Sequence, residues 1–355
     1  MRNITFVKTL FNKIVWTKRT KEAKQVCKKH SEWNKLTAQE KARLRTKETY
    51  AYVIYKNLYK DWDKSRIECF VSDAYYQTVL LPKLNKLNYD TLGIKYTDSY
   101  FTDKNYEDFF ASGAKFPKTI IKNINGEFYN ADFECITEAE ARKLLGGYEK
   151  AVFKKSIFAG HGKGVQLVEK DGFDKALENF GDDFIVQEVI EQNELTARFN
   201  ESSVNIFRIT SLFWKCEIYI LGIILRVGAP GAFCDHLGSG GVNPRIVAVS
   251  EDGTLDSYCM DPDDGVVYPD MFGHELGTNI PFVPEMIEIV KREHKKYAHH
   301  RIIGWDFAID KNGGIYCIEY NGDVPGIVQT QMVLGPVFAR ETERGNTLLD
   351  EITGE

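Results

Sequence analysis

The order of apolar and polar residues predicts helices first and strands later. Up to about residue 90 the spacing is helical, and Thr37-Ala38-Gln39-Glu40 has the form of a capping box that opens a long helix through Tyr59. From Phe116 the pattern of apolar and polar residues predicts short strands mixed with helices. Strands dominate over residues 203–227. The pattern therefore predicts a helix-rich N-terminal region followed by α+β structure.

The elements predicted beyond Phe116 are short and closely spaced. We expect strands at residues 119–121, 151–153, 165–168 and 184–190. Helices are expected at residues 138–145, 173–180 and about 284–298. This sequence of elements predicts two α+β lobes with a cleft between them.

Residues 304–321, GWDFAIDKNGGIYCIEYN, predict a β-hairpin. Asn312-Gly313 between two apolar runs is a turn signal, because both residues tolerate the positive φ of tight loops. The resulting register places Asp306 opposite Glu319, and Asn321 follows on the same face. The other face takes five large apolar side chains: Trp305, Phe307, Ile309, Ile318 and Tyr320.

The two facing acids of this hairpin need a positive charge between them. Directly opposed carboxylates have Cβ atoms about 5 Å apart and repel, so a proton, a cationic side chain or a metal ion must compensate. Two carboxylates and an amide oxygen suit Mg²⁺, which also binds substrate phosphates. The hairpin thus favours a metal–nucleotide site over an edge hairpin with solvated acids.

Composition agrees with a globular protein of two or three domains. The chain has 355 residues, 43% of them hydrophobic. Its seven cysteines form no C-x-x-C pair, which favours reduced thiols over a disulfide framework or a zinc site. No run approaches the length of a transmembrane helix, and Lys8 and Lys13 interrupt the apolar start, unlike a signal peptide. We expect a cytoplasmic protein.

Charge is distributed unevenly along the chain. The net charge is -5, yet residues 1–60 contain 16 Lys and Arg against 4 Asp and Glu. Residues 1–20 carry apolar side chains at helical spacing, namely Ile4, Val7, Leu10, Phe11, Ile14 and Val15. This segment resembles an interfacial membrane helix, which would attach the protein to the inner membrane face, but an amphipathic helix packed on the body is favoured. Nucleic acid is not expected, because no binding motif accompanies the charge.

A glycine-rich loop lies between two predicted strands at residues 151–169. In Gly160-His161-Gly162-Lys163-Gly164 the missing Cβ atoms let backbone N–H groups approach an anion. The loop is not a Walker A motif, since Gly follows Lys163 and a strand follows the loop. Lys155, inside the preceding apolar strand, can hold a phosphate as a point charge. A phosphate cradle and a flexible hairpin tip are the two interpretations.

Two further stretches carry polar groups in apolar surroundings. Residues 184–200 form an apolar strand that runs into polar residues, where backbone groups can read an adenine edge and an acid can take ribose hydroxyls. Arg208 and Arg226 lie inside apolar strands, so each needs an anionic partner, either a salt bridge or a ligand. The glycine-rich residues 228–243 form a loop that can close over a ligand.

The histidines do not predict a metal site. His274-Glu275 lacks the second histidine of H-E-x-x-H, and His299-His300 reads as a solvated pair at a helix end. Residues 261–264 lack the ligand spacing of an EF-hand and read as a turn. No G-x-S-x-G pattern occurs either.

The order of these features resembles the ATP-grasp superfamily. A lysine strand, a glycine loop, a polar strand exit, buried arginines and an Asp…Glu-x-Asn hairpin follow one another over residues 103–335. The chain is more narrowly similar to the sugar-transfer-associated branch, which includes teichuronopeptide and polysaccharide biosynthesis proteins. Six stretches carry that match: SVNIFRIT, ILRVG, DHLGSGGV, GHELGTNIP, GWDFAID and CIEYNG.

The resemblance implies an ATP-grasp fold in which two α+β lobes enclose a nucleotide cleft. A basic helical region would cover residues 1–100, and the small lobe with the glycine loop residues 101–190. The large lobe with the metal site would cover residues 191–340, and a tail residues 341–355. Ser156 stands where the family often has proline, and Asp235-His236 where Asp-Asn is expected, which leaves the substrate loop open.

The resemblance also implies site residues. Phosphate contacts would come from the two lysines and the glycine loop: Lys104, Lys155, Gly160, Gly162, Lys163 and Gly164. Adenine and ribose contacts would come from the polar strand exit: Gln187, the backbone of Glu188 and Ile190, and Glu194. The magnesium ligands would be Asp306, Glu319 and Asn321, while Arg208 and Arg226 would hold the γ-phosphate or the reacting carboxylate.

The function implied is an ATP-dependent carboxylate–amine ligase that forms ADP through an acylphosphate. Its cofactors would be ATP and Mg²⁺, with two ions expected and Mn²⁺ as an alternative. Its substrates would be a small-molecule or lipid-linked sugar acid of a surface polysaccharide or capsule, plus an amine, with glycosyltransferases as partners. Two rivals are a phosphotransferase on the same fold and a non-catalytic nucleotide-binding partner of a glycosyltransferase.

Overall fold

The structure is a computed structural model that describes residues 69, 71, 76–84, 103–157, 164–235, 241–263, 265–322, 325–342 and 344–354. The predicted capping box at Thr37, the helix through Tyr59 and the amphipathic segment 1–20 lie outside these residues. Within the described ranges the α-helices are α1 (Leu81–Leu84), α2 (Glu107–Phe110), α3 (Glu138–Leu145), α4 (Phe173–Asn179), α5 (Glu194–Ala197), α6 (Val283–His294), α7 (Val328–Leu334) and α8 (Leu348–Thr353). Shorter helical turns occupy Tyr76–Leu80, Lys104–Tyr106, Lys170–Gly172 and Val337–Ala339.

A six-stranded antiparallel sheet forms the first part of the fold. Its strands are β1 (Thr119–Ile124), β2 (Glu127–Tyr129), β3 (Cys135–Ile136), β4 (Lys150–Lys155), β5 (Val165–Glu169) and β6 (Phe184–Gln187). They lie in the order β3-β2-β1-β6-β4-β5. Helices α3 and α4 cover one face, where Leu145 and Leu177 pack with Phe153 and Phe184. The other face carries Lys122 and Lys154, whose side chains are both buried.

A seven-stranded antiparallel sheet forms the second part. Its strands are β7 (Ile206–Trp214), β8 (Glu217–Val227), β9 (Arg245–Val249), β10 (Cys259–Met260), β11 (Val267–Tyr268), β14 (Ile302–Ile309) and β15 (Ile315–Asn321), in the order β11-β10-β9-β8-β7-β14-β15. Two short strands, β12 (Asp270–Met271) and β13 (His274–Glu275), pair separately. The predicted α+β class with two sheet-based parts is confirmed.

The two faces of the larger sheet have different coverings. On one face Phe207 and Trp305 form a core with Met286 and Val290 of α6. On the other face α7 approaches β8 so closely that a Cβ at Gly222 would lie 2.5 Å from Thr330 Cγ2. Beyond α7 this second face carries charged side chains, namely Arg208 on β7, Arg226 on β8 and Asp306 on β14.

Most predicted elements occur with shifted ends. Helix α3 has the predicted bounds, and Thr137 and Glu140 form a capping box at its start. The strand predicted at 184–190 ends at Gln187, and the helix predicted to reach residue 298 ends at His294. The two-residue turn between β7 and β8, Lys215-Cys216, has positive φ at both residues, although it contains neither Asn nor Gly.

The β14–β15 hairpin has the predicted pairing of its acids but a different turn. Asp306 faces Glu319, while Ile309 faces Ile315, so the loop holds five residues rather than two or four. A bulge after Asp306 pairs Phe307 with Cys317 and absorbs the extra residue. The prediction that Ile318 belongs to the core face is therefore wrong: Cys317 takes that place.

A chain of buried hydrogen bonds fixes the helix α6 side of this sheet. Trp305 Nε1 donates to Ser211 Oγ at 2.9 Å, and Ser211 Oγ lies 2.7 Å from His294 Nδ1. His294 Nε2 lies 2.8 Å from the carbonyl oxygen of His300, so Nε2 carries the proton and Nδ1 accepts from Ser211. His300 is itself buried with Nδ1 2.9 Å from the Gly322 carbonyl oxygen, which corrects the prediction that it is solvated.

We expect His294 to make the protein acid-sensitive. Burial lowers the pKa of His294 to about 4, below the ordinary value of about 6.5 that applies in the unfolded chain. The unfolded state therefore binds the extra proton first, and stability falls as the pH drops from about 6.5 towards 4. Between pH 7 and pH 5 the loss should be about 2 kcal/mol.

Denaturant unfolding of wild type and His294→Gln at both pH values checks this expectation. The variant lacks the titrating group, so the difference in unfolding free energy between the two proteins should shrink on acidification. A difference that stays constant from pH 7 to pH 5 would contradict the assignment.

No helix in the described ranges has the length and apolar character needed to cross a bilayer. The six cysteines that the structure describes are all free thiols, as the sequence predicts.

Candidate active site

The face of the larger sheet against which α7 packs carries the three predicted metal ligands. Asp306 on β14 is 2% exposed, and its strand partner is Glu319 on β15. Asn321 lies two residues beyond, and its Nδ2 donates to Glu319 Oε1 at 3.3 Å. Strand alternation thus brings the predicted two carboxylates and one amide together.

Two arginines neutralise Asp306. Arg208 lies opposite Asp306 on the neighbouring strand β7, and its Nε and Nη2 donate to the two carboxylate oxygens, Nη2 at 2.7 Å from Oδ2. Arg226 on β8 reaches the same Oδ2 with Nη2 at 3.1 Å. The sequence left a salt bridge or a ligand open for these guanidinium groups, and here each has a carboxylate of the chain.

Arg226 has a second acid partner, which sequence reasoning did not assign. Its Nε lies 2.7 Å from Asp235 Oδ2, and Asp235 is buried just after β8. Burial opposes the charge, but Asp235 and Asp306 together raise the pKa of Arg226 above its ordinary value. This guanidinium therefore stays charged between two carboxylates.

Lys104 neutralises Glu319. It begins a short helical turn whose N-cap, Asp103, accepts from the backbone N–H of Asn105, and its Nζ lies 3.0 Å from Glu319 Oε2. Burial disfavours both charges, but each offsets the other: Lys104 lowers the pKa of Glu319, and Glu319 raises the pKa of Lys104. The predicted phosphate contact Lys104 thus lies beside the predicted metal ligands.

Glu107 is a further buried acid at this place. It is 3% exposed, and its Oε1 accepts from the backbone N–H of Tyr320 at 3.4 Å, between Glu319 and Asn321. Burial raises the pKa of Glu107 to about 8, although the positive charge of Lys104 opposes the shift. A protonated fraction at neutral pH follows, and the sequence contained no signal for it.

Lys154, rather than Lys155, is the lysine of β4 that lies near Glu319, Glu107 and Lys104. Lys154 is 8% exposed, and burial lowers its pKa against the opposing charges of Glu319 and Glu107. Among the residues that the structure describes, none makes a hydrogen bond or salt bridge with its ammonium group. A buried cation without a hydrogen-bond partner is costly unless a ligand completes it.

Lys155 points to the opposite face of the same strand. Its Nζ donates to the Asp182 carbonyl oxygen at 2.7 Å and lies 5.4 Å from the centre of the Phe180 ring. Phe180 belongs to the core under α3 and α4. This position argues against the predicted phosphate contact of Lys155, because side chains alternate along a strand and Phe153 fixes which face is the core.

The remaining predicted phosphate residues lie at the glycine loop. Gly160, Gly162 and Lys163 are outside the described residues. Gly164 has φ +84, and its carbonyl oxygen accepts from the Lys155 backbone N–H at 2.8 Å. Its own position at the start of β5 is therefore settled, while its predicted contact with phosphate stays a prediction.

The predicted adenine and ribose residues follow β6. Gln187 is buried and donates to the Pro117 carbonyl oxygen at 3.3 Å, and the backbone N–H of Glu188 donates to Lys118 O at 2.9 Å. Ile190 is half-buried, and Glu194 opens α5. No hydrogen bond or salt bridge between described residues joins this segment to the charged cluster, so its role also stays a prediction.

Backbone contacts tie this segment to the hairpin of the larger sheet. Asn193 N–H donates to the Ile309 carbonyl oxygen at 2.9 Å, and Lys311 N–H donates to Glu191 O at 2.7 Å. The chain leaving the smaller sheet is therefore fixed to the strand pair that carries Asp306 and Glu319.

The oxygen donors fit a hard divalent cation. Asp306, Glu319 and Asn321 supply two carboxylates and an amide, the donors that Mg²⁺ accepts when phosphates and water complete its shell. Within the described ranges no group of three or more His, Cys, Asp or Glu side chains forms a metal site by itself. A cation here would depend on oxygens from a bound phosphate.

Comparison with known proteins gives one family match. A family model described as sugar-transfer associated ATP-grasp matches residues 95–344. No curated protein matches the chain.

Several solved structures are similar to the chain. D-alanyl-alanine synthetase A from Vibrio cholerae is 13% identical, with 74% of this chain and 68% of that chain covered and a TM-score of 0.44. VanG D-Ala:D-Ser ligase from Enterococcus faecalis is 16% identical, with 76% and 69% covered and a TM-score of 0.46. The biotin carboxylase domain of 2-oxoglutarate carboxylase from Hydrogenobacter thermophilus is 14% identical, with 70% and 47% covered and a TM-score of 0.36. The chain thus spans about half of that last protein.

Proposed function

The chain belongs to the sugar-transfer associated ATP-grasp family, and on that basis we propose that it is an ADP-forming carboxylate–amine ligase. The enzyme transfers the γ-phosphoryl group of ATP to a carboxylate and then joins the acyl group to an amine. We propose a sugar acid of a surface-polysaccharide precursor as the acid and an amino acid as the amine. The family's association with sugar transfer supports the sugar part of this proposal.

The buried ammonium group of Lys154 carries the proposal. Its buried ammonium lies in the same charged cluster as Lys104 and the acids of the hairpin, and it lacks a partner among the described residues. A phosphate group would supply the missing anion. The hairpin carboxylates Asp306 and Glu319 would at the same time accept the cation that accompanies a triphosphate.

The residues of the cluster would have different roles in phosphoryl transfer. Lys104 and Lys154 would bind phosphate oxygens, and Arg208 with Arg226 would bring the γ-phosphoryl group and the carboxylate together against their repulsion. Mg²⁺ on Asp306, Glu319 and Asn321 would neutralise charge on the phosphates when bound. No protein nucleophile is required.

Other residues would bind the nucleoside and protect the intermediate. Gln187, the backbone of Glu188 and Ile190, and Glu194 would contact adenine and ribose. The residues from 228 to 235, which end at Asp235, border the arginines and would help to exclude water from the acylphosphate. We further propose two Mg²⁺ ions, with Mn²⁺ as the alternative metal. A glycosyltransferase partner at the inner membrane face completes the proposal.

ADP release from Mg-ATP tests the proposed function. Pools of uronic acids, amino acids and lipid-linked sugars are added singly and in pairs, and the ligase requires release that depends on an acid and an amine together. Release with one hydroxyl compound alone would instead show a phosphotransferase. Nucleotide binding without turnover in any pool would show a binding protein.

A further inference from the structure

Arg226 is the guanidinium that bridges two buried carboxylates. Its Nη2 lies 3.1 Å from Asp306 Oδ2, and its Nε lies 2.7 Å from Asp235 Oδ2. Among described residues, Arg208 has Asp306 as its acid partner. Asp306 is therefore shared by both arginines, whereas Asp235 serves Arg226.

The chain holds Asp235 in place independently of Arg226. Asn200 Nδ2 donates to the carbonyl oxygens of Gly228 at 2.9 Å and Ala229 at 3.0 Å. Ser202 Oγ donates to the Ala232 carbonyl oxygen at 2.9 Å and accepts from Gly231 N–H at 3.0 Å. These bonds fix the backbone that leads from β8 towards Asp235.

Cys234, the residue before Asp235, is held by backbone contacts as well. Cys234 pairs with Val204 in a β-bridge, and its carbonyl oxygen passes so close to Gly228 that a Cβ there would lie 2.3 Å away. Asp235 thus contacts Arg226 from a segment that packs against residues 200–204. The backbone contacts of this segment therefore hold the Asp235 carboxylate in the site.

Asp306 cannot serve the arginines and a cation equally well. In the proposed function its oxygens bind the cation that accompanies the nucleotide, so both guanidinium groups lose that partner. Arg208 can turn to phosphate oxygens. Until the carboxylate substrate arrives, Arg226 would be drawn back to Asp306, in competition with the cation, unless another carboxylate holds it.

We propose that Asp235 is a positioning residue that holds Arg226 away from Asp306 when the cation–nucleotide complex binds. This inference rests on the proposed function and adds a residue to it. Asp235 touches neither the nucleotide nor the cation in this role; it acts through Arg226 and leaves the carboxylate of Asp306 available.

Binding of ADP with and without Mg²⁺, measured by calorimetry, tests the proposal. The readout is the coupling factor, the ratio of the two ADP dissociation constants, because general damage to the protein changes both constants alike. Asp235→Ala should reduce this factor about 10- to 100-fold, as removal of outer-shell partners does in metal sites. The ADP affinity without Mg²⁺ should change much less.

Two further variants make the result decisive. Asp235→Asn keeps an oxygen for Arg226 Nε but loses the charge, so a smaller reduction of about threefold or more is expected, and it decides the matter if Asp235→Ala does not fold. Asp270→Asn is the matched control. It removes the acid beside Arg245, whose side chain is 13% exposed like that of Arg226, and it should leave the coupling factor unchanged.

The outcomes separate this inference from the proposed function. A wild-type coupling factor in both Asp235 variants would overturn the role of Asp235 while the nucleotide site stands. A wild-type protein that binds no ADP in either condition would overturn the proposed function, and this inference with it.

Discussion

Asp306→Asn should reduce ADP formation about a hundredfold or more, because the variant lacks the carboxylate that the proposal gives to the cation. It also removes the carboxylate that forms a salt bridge with Arg208 and leaves Arg226 with the charge of Asp235. Loss of a buried charge partner should lower the free energy of unfolding by about 3 kcal/mol. Steady-state ADP release and denaturant unfolding measure the two effects.

Asp310→Asn provides a matched control for that variant. Asp310 closes the turn of the same hairpin, where its Oδ1 accepts from the backbone N–H groups of Asn312 and Gly314. Asparagine keeps that acceptor, so ADP formation should stay within about twofold of wild type. Equal activity of Asp306→Asn and Asp310→Asn would exclude Asp306 from the reaction.

Lys154→Met should weaken nucleotide binding and at the same time stabilise the protein. The ammonium group is buried without a partner among described residues, so an apolar side chain of similar length should raise the free energy of unfolding by about 1 to 3 kcal/mol. Affinity for ATP should fall about a hundredfold, since truncating one partner of a buried charge pair costs several kcal/mol. Opposite changes in stability and affinity are the signature of a site that is completed by its ligand.

Lys155→Met is the neighbouring comparison. Its ammonium group contacts the Asp182 carbonyl oxygen on the far face of β4, so ATP affinity should remain within about twofold of wild type. Calorimetric titration of both variants with ATP checks the pair. A larger loss of affinity in Lys155→Met than in Lys154→Met would restore the sequence-based choice and contradict the structure.

The hairpin shows why a site can be predicted from a sequence even where its local geometry is not. The pairing of Asp306 with Glu319 follows from period-two alternation outward from the turn. The actual turn is centred on Asn312 rather than between Asn312 and Gly313, and the bulge after Asp306 compensates for it. Only Ile318 was misplaced as a result, because the bulge lies between the turn and the acids.

The choice between Lys154 and Lys155 could not be made from the sequence. Ala151, Val152 and Phe153 are all apolar, so neither face of β4 is marked as the core. The structure decides it through the packing of Phe153 with Phe180 and Phe184. That packing joins positions about thirty residues apart, which no local pattern reports.

The anionic partners of the buried arginines could not be predicted from the sequence for the same reason, because they lie far away along the chain. An arginine inside an apolar strand requires an anion, but the sequence does not say which one. Arg208 and Asp306 meet because β14 inserts beside β7 in the sheet order, 98 residues further along the chain. Asp235 is placed by the polar contacts of Asn200 and Ser202, and single positions of this kind carry no periodic signal.

Transfer of an oxygen isotope from the acid to phosphate shows whether the enzyme phosphorylates a carboxylate. The acid that stimulates ADP release is labelled with ¹⁸O in its carboxylate and incubated with ATP, Mg²⁺ and the amine. Phosphorylation makes a carboxylate oxygen the bridge to phosphorus, and attack by the amine then releases it with the phosphate. We expect one ¹⁸O in each phosphate formed, whereas phosphate free of ¹⁸O would exclude an acylphosphate.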